Sequence, residues 1–283
     1  MAAASLTNHS PLLVLGASGP IGHFLLPRLL DSGIAVMAVS RRRPFSTRAG
    51  LTWIQHDLAS GPAPVEADIL ISAGPLPLAV RQARATPGLG RIIAFSSAGV
   101  RFKQQSPDPV ERELITALGQ AESDLRALCD QRAVPLTLFR PTLIYGGPGN
   151  ANIDLIGQWS QRFRWLPVAG DGRRQPVHAE DLARVTVDAL RAGPAAAGTF
   201  ELGGGETLGY RDFLRRIAKA RGLNPRLLPM PGVVLKAGLA IAHRLGRLRS
   251  VRGVMIERQR SDLVVDDREA RERLGWNPRP FRP

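Results

Sequence analysis

Seven residues near the start of the chain, Gly16-Ala17-Ser18-Gly19-Pro20-Ile21-Gly22, restrict the fold more than any other stretch. They follow an apolar run over 12–15 and open an amphipathic segment that extends to Asp31. A strand, a glycine turn and a helix in that order make the first half of a β-α-β unit. Gly16 lets the chain leave the strand in a tight turn, Gly19 lets backbone approach a ligand, and Gly22 lets helix and strand pack closely. The free amides at the helix start, together with the positive end of its dipole, suit a diphosphate. Pro20 costs little there, since its missing N–H would have no partner in the first turn. The turn therefore predicts a dinucleotide site built on Gly16, Ser18, Gly19, Pro20, Ile21 and Gly22.

The rest of the first half repeats the same alternation. Strand patterns over 12–15, 35–40, 53–55, 69–72, 91–96 and 136–140 are separated by helical patterns, notably 21–31, 78–85 and 109–132. Strand–helix–strand repetition implies right-handed crossovers and a Rossmann-type doubly wound parallel sheet, an α/β fold. After Tyr145 the texture changes at Gly146-Gly147-Pro148-Gly149-Asn150, a loop signal. A strand over 199–202 and helices over 210–221 and 268–274 follow in a less regular context. The pattern predicts a dinucleotide-binding domain over 1–145, completed by part of 165–202, and a smaller interleaved lobe in most of 146–283 that covers a substrate.

The second strand ends in Ser40-Arg41-Arg42-Arg43. A site for NAD carries an acidic residue there, which holds the ribose 2′-hydroxyl and repels a 2′-phosphate. A hydroxyl followed by guanidinium groups suits the phosphate instead, so Ser40, Arg41 and Arg42 point to NADP over NAD.

Charge alone invites a different partner. Lysine and arginine outnumber aspartate and glutamate 38 to 24, a net charge of +14. Only Lys103, Lys219 and Lys236 are lysines, and the arginines are scattered instead of gathered beside aromatics on one element. That distribution argues against a nucleic-acid interface and suits a small, anionic substrate equally well. A single cysteine, Cys129, excludes an intrachain disulfide and a cysteine zinc site, and no other spacing suggests a metal. The first ten residues lack a secretory pattern, and the apolar stretch 232–243 is interrupted by Lys236 and too short to span a bilayer. A cytoplasmic location without a transmembrane segment is expected. Arg244, Arg247, Arg249 and Arg252, which follow that stretch, leave a peripheral membrane contact open.

Further motifs agree in order along the chain: His56-Asp57-Leu58, Ser72-Ala73-Gly74, Phe95-Ser96-Ser97-Ala98-Gly99-Val100, Arg140-Pro141-Thr142-Leu143-Ile144-Tyr145-Gly146 and Pro176-Val177-His178-Ala179-Glu180-Asp181-Leu182-Ala183. With Gly-x-x-Gly-x-x-Gly they resemble the extended short-chain dehydrogenase/reductases, the NAD-dependent epimerase/dehydratase family, over nearly the whole chain. The resemblance implies adenine contacts from Asp57 and Leu58, and cofactor contacts from Ala73, Gly74, Ser96 and Pro141. It also implies an active-site hydroxyl at Ser97. One departure stands out. Matching Ala121-Glu122 to the family's Ala-Glu puts Leu114 and Leu118 where its Tyr-x-x-x-Lys pair belongs, and neither leucine moves a proton. The chain is thus similar to atypical members of the family.

Few groups remain for proton chemistry. Ser97 either hydrogen-bonds a substrate oxygen or caps backbone at the strand end. Lys103, on the loop leaving that strand, orients a ribose or donates a proton with a lowered pKa, or else is a solvated loop residue. Tyr145 either approaches the nicotinamide or is a buried structural aromatic. His178 is either a proton shuttle or a helix cap. The function expected is that of an NAD(P)-dependent oxidoreductase acting on a small carbonyl, imine or nucleotide-sugar substrate. The alternatives are a non-catalytic NADP-binding sensor or structural subunit, and a nucleotide-sugar epimerase or dehydratase. The resemblance further implies a homodimer formed through the helix over 109–132.

Overall fold

Uninterrupted apolar runs make strands that are buried on both faces, and three of them form the centre of the sheet: β1 (Leu12–Leu15), β4 (Ile69–Ser72) and β5 (Arg91–Phe95), buried at every position. Around them lie β2 (Val36–Ser40), β3 (Leu51–Gln55), β6 (Leu136–Pro141) and a seventh strand, Gly198–Leu202. The computed structural model describes residues 12–41, 48–149, 151–246, 248 and 251–283, so Arg42, Arg43, Arg247 and Arg249 lie outside the described residues. The sheet order is Gly198–Leu202, β6, β5, β4, β1, β2, β3, and every neighbouring pair is parallel. The chain runs outward from β1 to β3 and then returns to β4 on the other side of β1. A crevice opens at such a reversal, beyond the carboxyl ends of the strands.

Helices cover both faces, as the alternation of the sequence demands. α1 (Pro20–Asp31) and α6 (Ala179–Ala192) pack on one face, with Leu25, Leu29, Leu182 and Leu190 in its core. α2 (Leu76–Ala85) and α4 (Pro109–Arg132) pack on the other through Val80, Ala83, Leu125 and Leu128. The short α3 (Gly99–Phe102) lies between β5 and α4. α4 matches its expected bounds because both ends are marked. The Asp108 carboxylate accepts hydrogen bonds from the amides of Val110 and Glu111, and Pro109 occupies the first turn. Cys129, on the buried side of α4, has its thiol pushed up to about 11 by burial and by the Asp130 carboxylate. It is expected to resist a disulfide reagent in the native protein at neutral pH and to react fully in denaturant, as thiol titration would read.

The second half holds more helix than its sequence suggests. α5 (Ala151–Phe163), α6, α7 (Tyr210–Lys219) and α8 (Gly232–Arg244) join three two-stranded ribbons. The sequence marks only the start of α6, through His178 as a helix cap, and buried residues then run along most of its length. The helix expected to reach residue 221 stops at Lys219, as the chain turns through Gly222 at φ +70°. α8 is apolar and poorly covered, with Val233, Val234 and Ile241 exposed. Among the described residues no helix is long and apolar enough to cross a membrane.

Candidate active site

The parallel sheet brings the carboxyl ends of β1 to β6 to one edge, and with them most of the residues picked out above. At the end of β1, Gly16 takes φ +71°, and a Cβ there would lie 2.5 Å from the Gly74 nitrogen. The turn after β1 thus lies directly against Ala73 and Gly74 after β4, whose Ala73 amide donates to the Leu15 carbonyl at 3.0 Å. Gly22 is equally constrained, because its Cβ would meet the Ala17 carbonyl oxygen at 2.3 Å. Gly19 differs, with only the Gly16 oxygen near, at 3.2 Å. It precedes α1, which no side chain caps. The amides of Ile21 and Gly22, with Ser18 exposed beside them, are left to an anionic ligand, and the cradle fits a dinucleotide diphosphate.

Ser40 and the exposed Arg41 lie at the end of β2. Asp57, after β3, is exposed and its carboxylate accepts the Ala59 amide at 3.0 Å, while Leu58 packs on the core. At the end of β5 the two serines separate. The Ser96 hydroxyl donates to the buried Glu122 carboxylate, which also accepts from Arg140 Nε at 2.9 Å, so Ser96 has no hydroxyl proton left for a cofactor and could only accept. The Ser97 oxygen accepts from the Gly99 amide at 3.0 Å, which leaves its proton for another acceptor.

A cavity of about 860 Å³ begins at Pro20, passes Ser97 and Pro141 and runs beneath the second lobe. Its polar groups include Ser97, Lys103, Thr142, Arg174, Gln175, Tyr210, Arg258 and Gln259. Lys103 Nζ lies 3.3 Å from Glu111 Oε1, and Arg258 meets the same oxygen. Burial, with the neighbouring Arg258 charge, lowers the Lys103 ammonium to about 8. The carboxylate does not offset this, since it is shared with the guanidinium.

Two of the expected catalytic residues lie elsewhere. Tyr145 is buried, and its hydroxyl donates to the Pro280 carbonyl at 3.3 Å and accepts the Arg282 amide at 3.2 Å. His178 Nδ1 accepts the Glu180 amide at 3.1 Å and caps α6, and its ring stands edge-on to Tyr145. Burial lowers its pKa, with the Arg279 charge adding to the shift, so the ring is neutral as its capping role requires. Neither lines the cavity, because the last residues of the chain fold back over both. Arg174, Tyr210 and Arg258 line the cavity without having been singled out from sequence as cavity residues, and Glu111 on α4 stands behind Lys103 and Arg258. No local motif joins them. Leu114 is exposed on α4 and Leu118 packs against the core, so neither contributes a polar atom. Among the described residues no group of three His, Cys, Asp or Glu side chains could hold a metal ion.

No family model matches the chain. A curated UDP-glucose 4-epimerase from Vibrio cholerae is 25% identical over 202 residues, a match that covers 68% of this chain and 59% of that protein. UDP-glucuronic acid 4-epimerase from Bacillus cereus, solved with NAD, superposes with a TM-score of 0.69 at 16% identity, over 96% of this chain and 92% of that one. UDP-N-acetylglucosamine 4-epimerase from Bacillus cereus gives 0.66 at 16%, over 96% and 95%. MoeE5 bound to UDP-glucuronic acid and NAD gives 0.66 at 21%, over 96% and 94%. The chain thus shares the fold of these epimerases, and its ordered motifs resemble those of the extended short-chain dehydrogenase/reductases, the epimerase/dehydratase family. It departs from their pattern at Leu114 and Leu118, which stand where the resemblance would place a Tyr-x-x-x-Lys pair.

Proposed function

We propose that this protein is an NAD(P)-dependent oxidoreductase, its cofactor held by residues 1–145 with part of 165–202, and its substrate covered by most of 146–283. The observation that carries this reading is the continuity of one cavity from the diphosphate turn, at Pro20, to Ser97 and Lys103. When bound, a reduced nicotinamide supplies a hydride to a carbonyl carbon and is oxidised in return. Ser97 donates a hydrogen bond to the carbonyl oxygen, and Lys103 delivers the proton that completes the alcohol. Lys103 is an acid only below its pKa of about 8, so reduction falls as pH rises through that value. Lys103→Met is expected to lower kcat about 100-fold and to abolish this alkaline limb, read from initial rates across pH.

Titration with NADPH and NADH, followed by nicotinamide fluorescence, tests the reading directly. Affinity for neither refutes it. Arg41 at the end of β2 favours a 2′-phosphate, although two of the solved structures named above, MoeE5 and UDP-glucuronic acid 4-epimerase, carry NAD. Arg41→Ala is expected to weaken NADPH about tenfold and NADH hardly at all, and equal losses refute the preference for NADP. A non-catalytic binding role gains support from Leu114 and Leu118. It predicts NADPH binding with no oxidation across a panel of carbonyl and sugar-nucleotide substrates. The Vibrio relative supports a nucleotide-sugar epimerase, which needs a general base that Lys103 alone would have to supply.

A further inference from the structure

We propose that the cavity takes a predominantly hydrocarbon ketone or alcohol in place of a sugar nucleotide. The inference rests on the oxidoreductase reading of the same site and names its substrate class. Beyond Ser97 and Lys103 the walls are mainly hydrocarbon, among them Ile153 and Ile156 from α5, Leu235 and Leu239 from α8, and Met255 from the segment that follows, with Thr142, Arg174, Gln175, Tyr210, Arg258 and Gln259 as the polar exceptions. A nucleoside diphosphate placed there would exchange water for aliphatic carbon around four or more polar groups, and burial without partners is costly for each.

Cationic groups do line the cavity, but each already has partners in the protein. Arg174 donates from Nη1 to the carbonyls of Arg173 at 2.9 Å and Ser261 at 2.8 Å, and from Nη2 to that of Arg258. Its guanidinium carbon lies 4.9 Å from the centre of the Tyr210 ring. Arg258 and Lys103 share the Glu111 carboxylate, whose second oxygen accepts from Ser106 at 2.7 Å. A diphosphate would have to compete with these carbonyls and this carboxylate for each guanidinium. A lone carbonyl oxygen needs only the hydroxyl proton of Ser97 and one proton of the ammonium, at one end of a mainly apolar chamber. Apolar walls with a few convergent polar atoms fix the orientation of a hydrocarbon body and hold its one functional group at the polar end.

The reaction balances on that oxygen. The carbonyl carbon gains the hydride and the oxygen gains the proton from Lys103. One molecule of reduced nicotinamide dinucleotide is oxidised for each alcohol formed.

Calorimetric titration of the intact protein with a panel of long-chain and polycyclic ketones, and with UDP-glucose, tests the proposal without turnover. Expected is ketone binding with a negative heat-capacity change, and UDP-glucose weaker by about 100-fold or more. Val234→Asp and Gly238→Trp, on the half-open side of α8, are expected to weaken the ketone about tenfold and to leave NADPH affinity unchanged. A Cβ at Gly238 meets nothing within 4 Å, so the second variant fills the chamber without crowding the fold. UDP-glucose binding as tightly as the ketones overturns the proposal. So does the absence of heat from every ketone, or unchanged ketone affinity in both variants. Ketone titrations read the same without cofactor, so a protein that fails to bind NADPH refutes the oxidoreductase reading and not this one.

Discussion

Replacing Gly22 by alanine is expected to destabilise the protein by about 3 kcal/mol, a cost at the upper end for an overpacked core site. The added methyl would lie 2.3 Å from the Ala17 oxygen, 2.5 Å from its carbonyl carbon and 2.6 Å from its Cα. All three are backbone atoms of the turn, so no side chain can rotate away, and α1 would have to lift from the end of β1. A loss of this size is a large fraction of a typical folding free energy and is readily measured by urea denaturation. Gly19→Asp forms the contrasting case. Its Cβ meets only the Gly16 oxygen, at 3.2 Å, so the fold is expected to persist. The carboxylate would face the phosphates across an uncapped helix start, and juxtaposed like charges cost several kcal/mol, so dinucleotide affinity is expected to fall about 100-fold. A folded Gly19→Asp protein with intact affinity would mean that the diphosphate lies elsewhere.

Glu122→Ala is expected to cost about 3 kcal/mol, as breaking a buried ion pair does. The carboxylate is almost wholly enclosed and ties three elements together: Ser96 after β5, Arg126 on its own helix and Arg140 on β6. Arg140 would keep only Glu201, at 3.3 Å, and the Ser96 hydroxyl would lose its acceptor beside the cofactor edge. Burial on its own raises the Glu122 carboxyl pKa. The hydrogen bonds from Arg140 and Ser96, with the Arg140 and Arg126 charges, outweigh it and hold the group below its ordinary value. The native form therefore binds its proton less readily than the unfolded chain. The stabilisation is complete above the usual carboxylate range and is lost as pH falls through the lowered value. Glu122→Gln should flatten that acid limb in thermal melts followed across pH, and an unaltered limb would assign it to other carboxylates.

The first half of the fold was legible because its signals are local. Asp108 and Pro109 mark the start of α4 and the glycine turn marks the start of α1, so the pattern places both to within a residue. Likewise a parallel sheet carries every strand end to one edge, so motifs far apart in sequence could be grouped before any coordinate was known. The cavity was not legible in this way. Arg174, Tyr210 and Arg258 meet only because the second lobe folds over α3 and α4, and periodicity says nothing about such long-range contacts. Tyr145 shows the same limit from the other side. Its motif lies at the carboxyl edge of the sheet, yet Phe281 packs edge-on against the ring and residues 280–282 occupy its hydroxyl. The chemistry of a side chain can be read from its type, but its freedom to act depends on what arrives later in the chain.

The seventh strand carries a kinetic consequence. Gly198–Leu202 zips along β6 with Phe200 beside Phe139, both fully buried, although a whole helix-rich excursion separates them in sequence. Until that excursion has gathered itself, β6 remains an unprotected rim of bare amides and aromatic carbon. Assembly must wait for a distant partner, and the growing molecule is most prone to adhere to its neighbours during that interval.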